Sequence, residues 1–465
     1  MSQYNRRAFD MAMRADFSSF VAKVFSTINP TEPFLPTWYI YAICWHLEQV
    51  CQGNIRRLII CLPPRSLKSI IASVALPAWI LGHDPSRKII SLTYNNELAG
   101  KYSIDFRRII TSAWYRRTYP GTIVSPYKDT ETETQFTRGG SRLGTTLTGT
   151  ITGRGASLIL CDDPMKSQDA YSDLKREAVN EIYRSTVLSR LDNKKTGGIV
   201  IVMQRQHAND LVGSLLEMSG ERFTVLSLPA IATKDENIQI GDQEFHLRKI
   251  GDVLHPEREP LEVLRGLELE MGPSLFASQY QQEPAAPGGE VIKKEWIQYY
   301  DELPPGGYYF ISWDTAGKDG PRNSFSVGTV WYRKKLVNYF VDVVRGRFDY
   351  PTLCETAINL VKRYKPRIVL IEDASTGVSL QADIRRGASC RVELVPVVGD
   401  KTGRLYLQQG KFASGLVRFP KDKPFMAELL NELLRFPQSR HTDQVDSISQ
   451  ALAYVGSTYT LDNIS

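Results

Sequence analysis

Two groups of side chains in this sequence have the types and spacing needed to handle phosphate and divalent metal. The first opens with Leu62-Pro63-Pro64-Arg65-Ser66-Leu67-Lys68-Ser69, a basic turn ending in lysine and serine. It resumes at Leu158-Ile159-Leu160-Cys161-Asp162-Asp163, an apolar run closed by two carboxylates. A phosphate loop aims backbone N–H groups and a lysine at phosphate oxygens while a Ser or Thr hydroxyl holds magnesium. On that chemistry Arg65, Ser66, Leu67, Lys68 and Ser69 are expected to cradle ATP. Asp162 is expected to hold Mg²⁺ through water, together with Ser69, and Asp163 to orient the attacking water. Both glycines of the usual pattern are missing, since Leu62 and Leu67 stand in their places. Alone, the first segment reads equally well as a basic loop between a buried strand and a helix, and the second as a solvated turn. Their occurrence together favours a nucleotide site.

Two neighbouring segments fit hydrolysis. Thr152-Gly153-Arg154-Gly155 precedes the acidic run, and Arg154 there can reach a γ-phosphate in its own subunit or a neighbour's. Arg65 and Arg142 are rivals for that role, and an arginine on a solvated turn is an equally good reading. Residues 198–203 form another apolar run that ends in Gln204-Arg205-Gln206-His207, polar side chains placed to sense loss of the phosphate.

Asp314, Glu372, Asp443 and Asp446 make the second group. Two-metal phosphodiester cleavage needs three or four carboxylates converging on ions roughly 3.5–4 Å apart. Hard oxygen ligands favour Mg²⁺ or Mn²⁺. Asp314 and Glu372 each close an apolar run, and Asp443 and Asp446 share one helix face. Each acid alone is more simply a solvated or capping residue, Asp443 above all; their order along the chain is what points to metal. Successive strand residues face opposite sides, so only one of Glu372 and Asp373 can be the ligand, and Glu372 is favoured. Lys318, Arg322, Lys401 and Arg404 are candidates for contact with a DNA backbone.

These residues need elements to position them. Continuous apolar runs at 58–62, 88–93, 157–161 and 198–203 alternate with helical patterns at 68–81 and 96–110. Uninterrupted strands separated by helices make a doubly wound parallel sheet, with sites at the carboxyl ends of its strands. Residues 229–284 are less regular and read as an auxiliary connecting element. Pro/Gly clusters at Glu283-Pro284-Ala285-Ala286-Pro287-Gly288-Gly289 and Leu303-Pro304-Pro305-Gly306-Gly307 bracket a linker over 285–307. The expected domains are therefore 1–284 and 308–465. In the second, strands at 308–313, 325–332, 336–344 and 368–371 precede a helix at 443–455. Acids at two strand ends and one helix start give the layout of a ribonuclease H-like α/β domain.

The bulk composition sets broad limits. At 465 residues the chain exceeds one ordinary core, and 42% hydrophobic with 23% charged residues is usual for a globular protein. The net charge of +6 is compatible with nucleic acid without requiring it. The six cysteines form no CxxC pair and no zinc spacing, so reduced core thiols are expected. No apolar run is long enough to span a bilayer, and no membrane association is expected.

Taken together, the motifs resemble the large terminase subunit of tailed bacteriophages. The resemblance is carried by the phosphate-loop segment 63–69, Thr152-Gly153-Arg154-Gly155 and Leu160-Cys161-Asp162-Asp163-Pro164. Arg205-Gln206-His207-Ala208-Asn209-Asp210-Leu211, Gln279-Tyr280-Gln281-Gln282-Glu283-Pro284, Trp313-Asp314, Ile371-Glu372-Asp373 and Asp443-Gln444-Val445-Asp446 complete it. It implies a P-loop ATPase domain of RecA/ASCE-like type followed by a ribonuclease H-like nuclease domain. It also implies a packaging motor that drives double-stranded DNA into a procapsid and cuts concatemeric DNA. The implied partners are the portal protein, the small terminase subunit and further copies in a ring, in the cytoplasm of a bacterial host. The family usually keeps a glycine where Leu67 stands, and often a glutamate where Asp163 stands. A DNA-repair helicase-nuclease and a non-catalytic DNA-binding scaffold are the alternative readings; the absence of a second phosphate-loop pattern in 308–465 weighs against the first.

Overall fold

The computed structural model describes residues 3–149, 151–217, 223–284, 291–315, 325–373, 375–388, 390–397, 400–437 and 442–457. The chain divides into two compact units, Met1–Leu264 with Ala277–Pro284, and Arg265–Phe276 with Ala285–Ser465.

The first unit is built on eight strands: β1 (Arg57–Cys61), β2 (Lys88–Thr93), β3 (Val124–Asp129), β4 (Glu133–Phe136), β5 (Ser141–Thr146), β6 (Leu158–Asp162), β7 (Gly198–Met203) and β8 (Thr224–Ser227). Their order is β3-β4-β5-β2-β6-β7-β1-β8. From β5 to β8 every pairing is parallel. The apolar runs explain this. In β1, Leu58 and Ile60 enter one core with Phe17, Ile43, Leu76 and Phe106, whereas Ile59 and Cys61 enter another with Ile159, Ile201 and Tyr183. A strand with two apolar faces must be covered on both, and each fully buried Ile or Leu stabilises by roughly 1.5–3 kcal/mol. The order places β7 between the phosphate-loop strand β1 and the acidic strand β6, in the RecA/ASCE-like arrangement expected.

Two elements differ from the sequence reading. The helix expected at 68–81 opens as a π-helical segment, Ile70–Ala75, and becomes α-helical over Leu76–His83, where Pro77 fits the first turn. The antiparallel extension β3–β5 was not legible, because these strands carry Ser, Lys, Arg and Thr rather than an apolar run. Residues 229–264 hold a hairpin, β9 (Glu236–Gln239) and β10 (Phe245–Arg248).

The second unit contains β11 (Gln298–Tyr300), β12 (Tyr308–Asp314), β13 (Ser326–Lys334), β14 (Val337–Gly346), β15 (Ile368–Glu372), β16 (Arg391–Val395) and β17 (Val417–Pro420). Their order is β11-β17-β14-β13-β12-β15-β16. β14, β13 and β12 are antiparallel neighbours, and β15 and β16 continue parallel to β12, which is the ribonuclease H-like arrangement. Trp313 is fully buried against Gly328, where an added Cβ would come within 2.7 Å of the indole.

The two units group some residues differently from the expected limits of 1–284, 285–307 and 308–465. Val291, Ile292 and Ile297, inside the expected linker, belong to the core of the second unit, and β11 pairs with β17. Residues 265–276, expected in the first domain, group with the second unit. Pro and Gly mark turns within a domain as readily as breaks between domains, and the second cluster, 303–307, lies within the second unit.

Candidate nucleotide and nuclease sites

In the first unit the candidate phosphate loop, residues 62–69, joins β1 to the π-helical segment. Arg65 and Leu67 both take φ 61°, the left-handed region that favours glycine. The loop thus adopts a glycine-type shape without its glycines. The buried Ser66 hydroxyl donates to Pro63 O at 2.8 Å and tightens the turn. Ser69 Oγ donates to Asp162 Oδ1 at 3.0 Å and Ser73 Oγ to Asp162 Oδ2 at 2.8 Å, so the loop and the acidic strand meet. The buried Lys68 lies with Nζ 3.9 Å from Asp163 Oδ2. Burial first, and the charge of Asp163 next, push the Asp162 carboxyl up to about 7 against the opposing effect of Ser73 and Lys68. Asp163 Oδ1 is buried and has no hydrogen-bond partner. A serine hydroxyl and a buried carboxylate side by side form a donor set that fits Mg²⁺.

Several of these residues line a cavity of about 790 Å³. Arg65, Ser66, Leu67, Lys68, Ser69, Asp163 and Gln204 line one part; Phe25, Pro33, Leu35 and Tyr39 give it an apolar wall suited to a base. Gln204 Oε1 is buried without a hydrogen-bond partner, as a side chain reserved for a ligand or water would be.

The arginines part company. Arg154 forms a bidentate pair with Glu133 at 2.9 and 3.0 Å and is absent from the cavity lining, so nothing in its own subunit's geometry presents it to a phosphate. Arg142 is buried in the core, bonded to Ser103 Oγ and Ser73 O, and burial pulls its guanidinium down to about 9. Arg65 stands at the cavity. Arg205 is committed to the buried Asp210 at 3.0 Å, and Asp210 also accepts from the backbone N–H groups of Gln206 and Gly213. Half-buried and beside Arg176, His207 is depressed to about 4 and stays neutral at ordinary pH.

In the second unit, β12 and β15 run parallel with Trp313 opposite Ile371. The next residues, Asp314 and Glu372, therefore stand side by side at the carboxyl ends of adjacent strands. Burial first, then a hydrogen bond to Glu372 and the charges of Glu372 and Asp446, hold the Asp314 carboxyl well above the usual carboxylate range. Asp373 is exposed, which separates it from the pair. Gly377 is required nearby, because a Cβ there would lie 2.1 Å from Glu372 O.

The helix Asp443–Ser457 brings the third acid. Val445, Ile448, Leu452 and Val455 enter the core, and a polar seam fixes the helix on the sheet. Ser447 Oγ donates to Ser312 O at 2.8 Å, Ser312 Oγ donates to Ser447 O at 3.0 Å, and Gln450 Nε2 donates to Trp313 O at 3.2 Å. The buried Glu432 accepts from Gln444 N at 2.7 Å and caps the helix start. Asp446, only 3% exposed, is gripped by Arg404 Nη2 at 2.7 Å and by Lys401 Nζ. Asp443 faces Arg345 Nη2 at 3.7 Å.

The expected cage of Asp314, Glu372, Asp443 and Asp446 is thus only partly assembled. Asp314 and Glu372 meet and Asp446 stands close enough to act on Asp314, whereas Asp443 turns to an arginine. Among the described residues no three acidic, histidine or cysteine side chains converge as a ligand set. Lys401 and Arg404, expected to face DNA, instead neutralise Asp446; Lys318 and Arg322 lie outside the described residues. The crowded Asp314–Glu372 pair fits a hard divalent cation, since two half-buried carboxylates in contact otherwise share a proton.

Residues 311–454 match the family model described as the Terminase RNaseH-like domain. That match falls within the second unit. Solved large terminases have the fold of most of the chain. The large terminase of a thermophilic bacteriophage, in complex with ADP, superposes with a TM-score of 0.55 at 10% identity, covering 88% of this chain and 98% of that one. Another crystal form of the same phage protein gives 0.56 at 9% identity over 88% and 98%. Its complex with ATP-gamma-S gives 0.54 at 10% over 87% and 97%. No curated protein matches the chain. The terminase resemblance read from the sequence therefore extends to the fold of both units. No helix among the described residues is long and apolar enough to cross a membrane.

Sequence reasoning missed Ser73, Arg258, Glu432 and the ion-pair role of Lys401. Ser73 carried a signal, standing four residues beyond Ser69 on the same helical segment. The others become visible only once distant elements are packed together.

Proposed function

We propose that this chain is the motor subunit of a viral DNA-packaging machine, which hydrolyses ATP to move double-stranded DNA into a procapsid and cuts concatemeric DNA with a metal-dependent endonuclease. The observation that carries it is the joining of Ser69 and Asp162 across two elements, where Ser69 and Lys68 line a cavity that apolar side chains also line. Lys68 and the loop N–H groups bind phosphate oxygens, Ser69 and Asp162 hold Mg²⁺, and Asp163 with Gln204 stands where attacking water is oriented. The complexes of the thermophilic phage terminase with ADP and ATP-gamma-S support nucleotide in the corresponding fold.

Asp314 and Glu372 hold the nuclease Mg²⁺ or Mn²⁺, with Asp446 as the third carboxylate. When bound, the metal polarises the scissile phosphate and activates water. Arg154, engaged with Glu133 in its own subunit, acts on a neighbour's nucleotide within a homo-oligomeric ring. The portal protein and the small terminase subunit are the partners this reading requires, in the cytoplasm of the bacterial host.

The test is a separation of activities. Lys68→Ala is expected to abolish ATP turnover while leaving Mn²⁺-dependent plasmid cleavage within about threefold of wild type. Asp314→Ala is expected to remove cleavage and spare ATP turnover. Loss of both activities in either variant overturns the assignment of two sites.

A further inference from the structure

The phosphate loop poses a physical problem: two residues bearing Cβ atoms, Arg65 and Leu67, are held at φ 61° where the usual pattern has glycines nearby. Left-handed backbone at such residues persists only when surrounding contacts over-determine it. Within the loop, Ser66 Oγ bonds Pro63 O at 2.8 Å. From outside, Arg258 Nη1 donates to Arg65 O, the carbonyl of the left-handed residue itself. Glu259 Oε2 accepts from Arg258 Nη2 at 2.9 Å and fixes the guanidinium. Arg258 lines the same cavity as Lys68 and Ser69, yet it lies far along the chain, beyond the β9–β10 hairpin. Its Nε is buried with no hydrogen-bond partner.

We infer that Arg258 is a positioning residue that holds the glycine-free phosphate loop in its phosphate-accepting shape by anchoring the carbonyl of Arg65. This rests on the reading of the cavity as a nucleotide site. A loop with glycine at the left-handed position adopts the shape without such an anchor, whereas this loop relies on one. The residue therefore acts through the backbone of Arg65 rather than on the nucleotide.

The full-length protein tests it through binding of a fluorescent ATP analogue, measured for Arg258→Ala in three backgrounds. In wild type and in Arg65→Ala, which removes the Arg65 side chain but keeps Cβ, the substitution is expected to weaken binding by about 10-fold, the scale of one buried hydrogen bond. In Arg65→Gly, where the left-handed conformation carries no Cβ penalty, the loss is expected to shrink to under about threefold. KM for ATP should follow the same pattern, with kcat changing less. An equal loss in all three backgrounds, or no loss in any, overturns the inference. Should Arg258→Ala lower the melting temperature sharply, Arg258→Met, which keeps the packed stem, is carried through the same backgrounds. Failure of the wild-type protein to bind the analogue at all overturns the nucleotide reading itself, a different result from an uncoupled Arg258.

Discussion

Asp162 illustrates how a single buried carboxyl links the site to the stability of its domain. Two serine hydroxyls hold it, and burial beside Asp163 pushes it up to about 7 from an ordinary 3.8. A folded-state value above the unfolded one means the fold prefers the protonated acid. The stabilisation is complete below about pH 4 and is lost as the pH rises through 7. Without nucleotide and magnesium, the melting temperature of the first unit should therefore fall between pH 5 and 8. Asp162→Asn should flatten that slope and stabilise the protein at pH 8 by on the order of a few kcal/mol, while abolishing ATP turnover. Calorimetric melting in chelator across that range checks it; a slope unchanged by the substitution would contradict the assignment. Lys68, Ser69 and Asp162 were legible in the sequence because residue type and a neighbouring apolar run are local properties. Ser73 offered only its spacing from Ser69 and Arg258 no local pattern at all; both act through partners brought in by folding.

At the scale of elements, the helix Asp443–Ser457 decides where Asp446 stands relative to Asp314. Glu432 anchors its start by accepting from Gln444 N, Gln444 Nε2 and Val445 N. Glu432→Ala leaves these donors buried and uncapped, and is expected to destabilise the second unit by about 1–3 kcal/mol. It should also reduce plasmid cleavage more than it reduces ATP turnover. Urea unfolding followed by tryptophan fluorescence, beside the two activity assays, tests this; intact stability would remove the capping role. Strands with uninterrupted apolar runs, such as Gly198–Met203, were readable to within a residue or two, since burial on both faces leaves no polar positions. The strands β3–β5 were not, because polar side chains alternate along them. The π-helical start at Ile70–Ala75 was equally hidden, as its side chains suit an α-helix just as well.

At the scale of the molecule, core residues within the stretch read as a linker make a prediction. Val291, Ile292 and Ile297 are core residues, and β11 adds an edge to the sheet beside β17. A fragment 308–465, cut where the sequence put the domain, lacks them all. It should be less stable than 285–465 by several kcal/mol, at roughly 1.5–3 kcal/mol for each buried aliphatic side chain. Equal urea midpoints for the two fragments would show those side chains to be dispensable.

The backbone passes into the second unit at Arg265, returns to the first at Ala277 and leaves it again after Pro284. The middle passage is no loose excursion: Gly272 lies so close to Gly410 that a Cβ would come within 2.7 Å of Gly410 N. A protease nick at 285–290 would consequently not release two self-sufficient pieces. The leading piece would carry away, by peptide bonds, a segment that the trailing piece needs to complete its own interior. The nicked material should behave as a two-chain protein whose partners co-elute until denaturant parts them.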